Sequence, residues 1–444
     1  MADAGEPKAQ VLQRAKEEKV RFVRLWFTDL LGKLKSFAIT VDELEGALRE
    51  GMGFDGSSIH GFARIDESDM IAKPDPATFV ILPGRPGETA VARMFCDIFT
   101  PEGEAYVGCP RNCLKRACAR AAEHGYTMNV GPEAEYFYFK ASDSTETLDS
   151  GGYFDLTPMD VASDLRSKTV QVLEAMGIGV EYSHHEVSPS QHEIDLRYAD
   201  ALSMADALMT YRLVVKEVAL LHNVYATFMP KPLFGLNGSG MHTHQSLFKG
   251  DRNAFFDPKD PMFLSPVARG YVAGLMRHAR EICGVCAQWV NSYKRLVPGY
   301  EAPVYITWAQ RNRSAMIRIP MYKPGKEKAT RIEFRAPDPA CNPYLAFAVM
   351  LHAGLEGIER GYDLPAPTEL DIYELSDDER RRMGIASLPG SLNEAIGAMQ
   401  ESDLVRRALG DHIFKKFIEN KRIEWDEYRT QVHQYELQKY LSVL

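Results

Sequence analysis

The feature that most limits how this chain can fold is a pair of glutamates inside an otherwise aromatic segment. The segment GPEAEYFYF predicts a β-strand, and side chains two residues apart on a strand point to the same face. Glu133 and Glu135 therefore share a face with Phe137 and Phe139. Burying two carboxylates beside apolar bulk is costly unless a positive group lies between them. Taken alone, the segment fits either a solvated polar face or a buried charged site.

A second segment, HHEVSPSQHEIDLRY, repeats this pattern of acidic residues in strand-like sequence. Glu186 and Glu193 lie on either side of a Ser-Pro-Ser turn, so a hairpin would bring their carboxylates close together. Glu193 alternates with apolar residues and faces away from the apolar side of its strand. The neighbouring His184 and His185, taken alone, are interpreted as hydrogen-bonded structural histidines.

The segment KPLFGLNGSGMHTHQSLF combines glycine with alternating histidine. Gly235, Gly238 and Gly240 allow unusual backbone angles and close approach of a ligand. Their spacing matches neither the phosphate-loop nor the dinucleotide pattern, and a plain flexible turn is the simpler alternative. His242 and His244 alternate on the strand that we expect to follow.

Arginine recurs in apolar, strand-like sequence in the last third of the chain. In that setting a guanidinium needs a carboxylate or phosphate as its partner. Glutamates with one or two histidines suit Mg²⁺ or Mn²⁺ rather than Zn²⁺, and cations with arginines are the groups that phosphoryl transfer requires. The arginines are Arg295, Arg311, Arg313, Arg318, Arg331 and Arg335.

Length and composition indicate a globular protein of at least two domains. The chain has 444 residues, more than one ordinary core accommodates. A small α+β unit ends near residues 100–108, and we predict domains at 1–105 and 106–444. The net charge of −9 without a basic block argues against nucleic acid, and the lack of a long apolar run argues against a membrane span. The first residues lack an apolar signal core, which predicts a cytoplasmic protein.

Local patterns predict several elements. A turn at residues 29–32 separates two strand-like runs, so we expect a hairpin. Thr40 and Glu43 form a capping-box pattern that opens a helix ending at Gly51. The segment PDPATFVILPGRPGE is predicted to be a loop. Cys283 and Cys286 form a CxxC pair without a second pair, and we interpret them as core thiols.

In chain order, the motifs resemble those of the glutamine synthetase family, type I. They are FDGSS at 54–58, EAEYF at 133–137, HHEV and QHEID within 184–195, NGSGMH at 237–242, NSYKRLVPGYEAP at 291–303, NRSAMIRIP at 312–320 and RIEFRAPDPACNPYLAFA at 331–348. The resemblance implies an α+β fold, with a small N-terminal β-grasp domain and a larger C-terminal catalytic domain built on a curved antiparallel sheet with helices. It also implies a dodecamer of two stacked hexameric rings, with each active site between neighbouring subunits.

The resemblance further implies a role for each matched residue. One metal ion, Mg²⁺ or Mn²⁺, would bind Glu135, Glu186 and Glu193, and a second would bind Glu133, His242 and Glu333. Glutamate would contact Asn237, Gly238, Arg295, Glu301 and Arg335. ATP would contact Glu181, Tyr198, His244 and Ser246, with Arg313 and Arg318 on its phosphates. The ammonium pocket would comprise Asp55, Ser58, Tyr153, Glu186 and Glu301.

The implied reaction is the ATP-dependent ligation of ammonia to glutamate. ATP would phosphorylate the γ-carboxylate to γ-glutamyl phosphate, and Asp55 would deprotonate ammonium to give the nucleophile. Glu301 would shield the intermediate from water and accept a proton. The alternative within the fold is a γ-glutamyl ligase that takes a polyamine or another amine. A non-catalytic relative would be expected to have lost at least one metal ligand, and none is missing.

Some positions depart from the family pattern or bear on its subclass. Ser190 stands where the family usually has glycine, and we expect a local change there without loss of a ligand. Thr307, Trp308 and Gln310, in YITWAQRNRS, are less usual and could alter the substrate pocket. The chain lacks the insertion of the β subclass and resembles the α subclass, in which Arg64 matches a feedback residue. Tyr373 matches the position that is adenylylated in the β subclass, and we expect it to be unmodified.

Overall fold

The computed structural model describes residues 6–57, 59, 69–84 and 89–444. Ser58 and Arg64, which the sequence analysis singled out, lie outside the described residues. The helices are α1 (Glu6–Glu17), α2 (Leu44–Glu50), α3 (Pro110–Glu123), α4 (Ser163–Ala175), α5 (Ala201–Leu221), α6 (Pro266–Cys286), α7 (Ser292–Arg295), α8 (Pro343–Glu359), α9 (Asp377–Arg382), α10 (Leu392–Gln400), α11 (Asp403–Leu409), α12 (Asp411–Arg429) and α13 (Gln434–Tyr440).

The strands of the described residues form two sheets. They are β1 (Phe22–Thr28), β2 (Leu34–Thr40), β3 (Met52–Asp55), β4 (Asp69–Pro74), β5 (Val80–Leu82), β6 (Val91–Phe99), β7 (Thr127–Ala134), β8 (Tyr136–Phe139), β9 (Val180–His185), β10 (Gln191–Leu196), β11 (Ala199–Asp200), β12 (Tyr225–Thr227), β13 (Met241–Lys249), β14 (Arg252–Asn253), β15 (Trp308–Ala309), β16 (Ile317–Arg318) and β17 (Ile332–Phe334).

The first sheet forms a small N-terminal unit in the order β2-β1-β6-β4-β3, with β5 added beside β6. Strands β1 and β6 are parallel, whereas β1 and β2 form the antiparallel hairpin that the turn pattern predicted. This sheet has its own core, in which α1 and α2 supply residues such as Val11 and Leu44. The N-terminal unit is the predicted β-grasp domain.

The second sheet is larger, runs in the order β12-β8-β10-β7-β13-β17-β16-β15, and is antiparallel except for the pair β15–β16. The helices α5, α6 and α8 pack into the core beside it, and α8 is apolar all round because it is buried on nearly every side. The α+β fold with a curved catalytic sheet is therefore confirmed. The boundary at residue 105 stays a prediction.

The structure corrects some local predictions. Thr40 makes no side-chain cap, and Val41–Glu43 is a short 3-10 helix before α2. The segment predicted to be a loop contains β5. The strand predicted through Glu133 and Glu135 is interrupted at Glu135, between β7 and β8. The two thiols of the CxxC pair are buried and free, as predicted.

A buried arginine joins the two units. Arg111, at the start of α3, pairs through Nη2 with Asp75 at 2.8 Å and through Nη1 with Asp97 at 2.7 Å, both on the small sheet's side. Its Nη2 also lies 2.9 Å from Asp206 Oδ2 on α5. Among the described helices, none combines the length and the apolar character that crossing a membrane requires.

Candidate active site

The acidic residues singled out in the sequence meet in a polar cavity of about 800 Å³ over the large sheet. The hairpin β9–β10 forms as predicted, with Glu193 opposite His184. On the neighbouring strands, His242 of β13 lies opposite Glu133 of β7, and β17 adds Glu333. The cavity is lined by all six predicted metal ligands, Glu133, Glu135, Glu186, Glu193, His242 and Glu333.

One group of ligands is compact. The Nδ1 atom of His242 lies 3.4 Å from Glu133 Oε2 and 3.5 Å from Glu333 Oε1. Ligand atoms of these three residues lie within 4.8 Å of one another, which suits a single cation. Although burial alone would raise the pKa of Glu133, hydrogen bonds from His242 and His244 hold this pKa well below its usual value. The carboxylate is therefore charged and available to a metal ion.

The other predicted ligands, Glu135, Glu186 and Glu193, are acidic side chains with repulsion among their carboxylates. Burial raises the pKa of Glu135, and the nearby Glu186 carboxylate raises it further. Burial also raises the pKa of Glu193, with added repulsion from Asp195 and Glu135. By distance, Glu193 also groups with His184 and Asp195 as potential ligands. Among the described residues, Glu135, Glu186 and Glu193 are not one of the sets whose ligand atoms all lie within 4.8 Å of one another. Buried carboxylates that repel one another are nevertheless donors that a divalent cation would stabilise.

Two hydrogen bonds, one from a side chain and one from the backbone, fix the Glu135 carboxylate in place. Its Oε2 accepts hydrogen bonds from Gln191 Nε2 at 2.8 Å and from the Gly240 amide at 3.0 Å. A Cβ at Gly240 would lie 2.6 Å from Arg295 Nη2, and one at Gly238 would lie 2.3 Å from the Pro230 carbonyl oxygen. A side chain at Gly238 would therefore collide with backbone, and one at Gly240 would displace the Arg295 guanidinium. A plain flexible turn, the simpler alternative, would not require glycine at these positions for packing.

Five of the six arginines line the same cavity, and their side chains differ in their hydrogen bonds and burial: Arg295, Arg311, Arg313, Arg318 and Arg335. Arg295 is buried and donates from Nη1 to the Ala336 carbonyl at 3.0 Å and from Nη2 to the Arg335 carbonyl at 3.0 Å. Arg335 is buried too, and its Nη1 has no hydrogen-bond partner among the described residues. Arg318 Nε pairs with Glu333, and Arg313 lies exposed on the cavity wall. A guanidinium such as that of Arg335 suits an anionic ligand.

Glu301 lies on a loop at the cavity mouth with φ of 54°. The side-chain Nδ2 of Asn237 donates to Glu301 Oε2 at 3.1 Å, and the Tyr373 hydroxyl donates to the Ala302 carbonyl at 2.5 Å. Tyr153 lines the opposite side, where its ring lies edge-on to His184. The structure thus brings these predicted residues into one cavity.

A second cavity of about 300 Å³ adjoins the first and shares Glu133 with it. His244 Nε2 donates to Glu133 Oε1 at 2.7 Å, so this histidine of the smaller cavity is joined to the glutamate that lines both. The smaller cavity is lined by the predicted nucleotide contacts Glu181, Tyr198, His244 and Ser246.

Asp55 does not join the cavity of its own chain. It lies exposed near the edge of the small sheet, where its Oδ1 accepts a hydrogen bond from the Ser57 amide at 2.8 Å. This hydrogen bonding by Ser57 lowers the pKa of Asp55.

Sequence reasoning gave no role to several residues of the site. Gln191 holds Glu135, and its position two residues before Glu193 on β10 was a usable signal. Arg331, for which the sequence analysis expected a carboxylate or phosphate partner, donates from Nε to His244 Nδ1 at 3.2 Å. Glu369 accepts hydrogen bonds from the Gln310 and Arg311 amides, at 2.9 and 3.1 Å, and no local pattern marks it.

The fold and the cavity define the class of protein. It is an enzyme with a β-grasp domain beside a curved-sheet domain, whose acidic groups and arginines suit cations and anionic substrates. A family model described as "Glutamine synthetase, beta-Grasp domain" matches residues 19–101, and "Glutamine synthetase, catalytic domain" matches residues 107–440. The chain belongs to the glutamine synthetase family.

Relatives and solved structures agree with this assignment. A glutamine synthetase of Mycolicibacterium smegmatis is 54% identical over 439 residues, and one of Methanosarcina mazei is 53% identical over 441; each match covers 98% of both chains. A cryo-EM structure of Plasmodium falciparum glutamine synthetase is 28% identical with a TM-score of 0.88, covering 98% of both chains. A structure named GmaS/ADP complex is 32% identical with a TM-score of 0.89, covering 97% of this chain and 99% of the other.

Proposed function

We propose that this enzyme ligates ammonia to the γ-carboxylate of L-glutamate, using ATP and giving L-glutamine, ADP and phosphate. The observation that carries the proposal is the meeting of two acidic groups and five arginines in one cavity of about 800 Å³. Full-length relatives named glutamine synthetase support the same activity and give no support to the polyamine alternative.

The two acidic groups would hold Mg²⁺ or Mn²⁺. When bound, these ions would offset the negative charges of the nucleotide phosphates and of the glutamate carboxylate. The protein ligands would be Glu135, Glu186 and Glu193 for one ion and Glu133, His242 and Glu333 for the other.

The nucleotide would enter through the smaller cavity, lined by Tyr198 and Ser246, so that its phosphates point towards Glu133 and the larger cavity. Arg313 and Arg318 would contact the phosphates and stabilise the charge on the transferred group. The buried Arg335, whose Nη1 has no partner among the described residues, would bind an anionic oxygen of glutamate or of the phosphoryl group.

Glutamate would lie between Arg295, Asn237 and Gly238, with its γ-carboxylate directed at the phosphates. Its γ-oxygen would attack the terminal phosphorus of ATP, and ADP would leave. The Glu301 carboxylate, held by Asn237, would cover the γ-glutamyl phosphate and limit access of water.

Ammonia formation needs a base near this intermediate. Asp55 would take one proton from ammonium, and Tyr153 and Glu186 would help to hold the cation. The ammonia nitrogen would then attack the γ-carbon, Glu301 would accept a second proton, and the C–O bond to phosphate would break.

The acceptor is tested by competition between ammonium and an organic amine. We expect glutamine as the dominant product when the enzyme receives equal ammonium and putrescine with ATP and glutamate. Mass spectrometry of the products measures this, and γ-glutamylputrescine as the dominant product would refute ammonia as the acceptor.

Trp308 is buried with its Nε1 donating to the Pro365 carbonyl at 2.7 Å, so it does not widen the pocket for a larger amine.

We also propose a type I enzyme of the α subclass that assembles as a dodecamer, as the resemblance in sequence implies. The position of Asp55, exposed and away from the cavity of its own chain, supports an active site shared between subunits. In such a ring, Asp55 would serve the neighbouring subunit. Inactive Asp55→Ala and inactive Glu333→Ala subunits, dissociated and reassembled together, should then recover part of the activity. Each variant reassembled alone is the control. Mixed assemblies without activity would contradict a shared site.

We propose that Tyr373 is unmodified in the working enzyme. Its hydroxyl is engaged with the Ala302 carbonyl and its side chain is half-buried, so a bulky group on this oxygen would displace the Glu301 loop. Intact-mass measurement of the purified enzyme checks this.

A further inference from the structure

A buried polar network lies on the side of the β9–β10 hairpin away from the cavity. His192 and Glu193 are consecutive on β10, so their side chains point to opposite faces of the sheet. We call this network the hairpin clamp, and none of its members lines the cavity. The hairpin clamp consists of Asp149, Asp160, Arg166, His185, Ser190 and His192.

One half of the hairpin clamp reaches β10 from the start of α4. Arg166 Nη2 donates to Asp160 Oδ2 at 2.6 Å, and its Nη1 donates to His192 Nδ1 at 2.9 Å. Since His192 Nδ1 accepts, its Nε2 carries the hydrogen. This Nε2 and the Oδ2 of Asp149 are both buried, and neither has a hydrogen-bond partner among the described residues.

The other half reaches β9 and the turn of the hairpin. His185 Nδ1 donates to the Glu186 carbonyl at 2.7 Å, and its Nε2 lies 3.1 Å from Asp149 Oδ1. The same carboxylate oxygen accepts from the Ser190 amide at 2.8 Å, and Ser190 Oγ accepts from the Leu148 amide at 2.6 Å. Ser190 has φ of 59°, a conformation costly for a residue other than glycine, and its hydroxyl supplies a hydrogen bond that glycine could not.

A metal ion in the hairpin clamp is the competing interpretation. Ligand atoms of Asp149, His185 and His192 do lie within 4.8 Å of one another. A histidine that binds a metal through Nε2 must carry a hydrogen on Nδ1, however, and the Nδ1 of His192 faces the donating guanidinium of Arg166. The cluster is therefore better suited to hydrogen bonding than to a cation.

We infer that the hairpin clamp is a positioning device that fixes Glu186 and Glu193 relative to each other. It holds the residue before each glutamate, His185 and His192, and it holds the turn through Ser190. On the cavity side, His184 lies between the two carboxylates, with its Nδ1 3.5 Å from Glu186 Oε1 and its Nε2 3.8 Å from Glu193 Oε2, whereas the clamp holds the backbone of both strands from the opposite side. This inference rests on the proposed metal site of the enzyme, and it assigns no chemical step to the clamp residues.

The test measures Mn²⁺ binding directly, without turnover, by titration calorimetry on the full-length enzyme. We expect Asp149→Asn to weaken Mn²⁺ binding about tenfold, at the low end of the usual effect of removing a supporting partner of a metal ligand. Ser190→Ala removes only the hydroxyl and should weaken binding less. Activity should be lost at low Mn²⁺ and largely recovered at saturating Mn²⁺, which loss of folding would not produce.

Asp260→Asn is the matched control. Asp149 accepts the backbone amides of Gly151 and Ser190 and lies beside His185. Asp260 likewise accepts two backbone amides, and it pairs with a basic side chain, Arg269, away from the cavity. Unchanged Mn²⁺ affinity in folded Asp149→Asn and Ser190→Ala enzyme would overturn the inference, as would a lowered kcat that saturating Mn²⁺ does not restore. If Asp149→Asn does not fold, Ser190→Ala decides alone. Wild-type enzyme that binds Mn²⁺ but makes no glutamine would refute the proposed function and leave the clamp testable; wild-type enzyme that binds no Mn²⁺ would overturn both the metal site and the clamp.

Discussion

Replacing Glu193 with alanine is expected to lower the rate of glutamine formation by about 10³-fold or more, because a bound cation contributes several kcal/mol of transition-state stabilisation. Glu193 is buried beside other carboxylates, and the arginines alone cannot offset the charges of ATP and glutamate. Phosphate release with ATP, glutamate and ammonium at saturating Mg²⁺ measures the effect. Glu135→Ala should behave in the same way.

The fold should survive this substitution, since it removes a buried carboxylate whose neighbours repel it. Thermal melting of the metal-free variant should therefore occur at or above the wild-type temperature. Glu359→Ala is the matched control, because Glu359 pairs with Arg120 at 2.6 Å outside the cavity, and this variant should stay active. Normal activity of Glu193→Ala at saturating Mg²⁺ would refute the ligand assignment.

Replacing Asp55 with alanine should slow amide formation by roughly 10²–10⁴-fold, the usual range for a positioned acid or base. Formation of γ-glutamyl phosphate should be less affected, because the proposed metal ligands and the arginines are elsewhere. Glutamate-dependent positional isotope exchange in ¹⁸O-labelled ATP reports on that first step. Amide product measured in parallel separates the two steps.

Asp42→Ala offers the control for Asp55→Ala, since Asp42 is an exposed acid on the same domain. Isotope exchange that falls as much as amide formation would contradict the assignment of Asp55 to ammonium. An Asp55→Ala enzyme with wild-type glutamine production would contradict it outright.

The sequence predicted much of the site because its strands obey a simple alternation. Pairs two residues apart, such as Glu333 and Arg335, point into one cavity, and the Ser-Pro-Ser turn brings Glu186 near Glu193. The interruption of the strand at Glu135 was missed, because it depends on contacts with Gln191 and Gly240 that lie far along the chain.

Contacts between residues far apart in the chain could not be predicted from local sequence patterns, for the same reason. Glu369 holds the Arg311 loop from 58 residues away, and Arg166 holds His192 from another element. Trp308 was expected near the substrate, but its ring is buried in the core, because apolar burial outweighs its position beside the arginines in sequence. Such residues are recognised only when packing is known.

The ion pairs of Arg111 bear on how substrates enter and leave. One guanidinium ties Asp75 and Asp97 of the small domain to Asp206 of the large one, and Asn342 Nδ2 donates to the Asp29 carbonyl at 3.2 Å across the same junction. Among the described residues these contacts join the two units, so a swing of the small domain over its own cavity would have to break them. The loop that carries Glu301 is joined to the cavity wall by fewer contacts, so we expect access to the cavity to depend on that loop more than on the small domain.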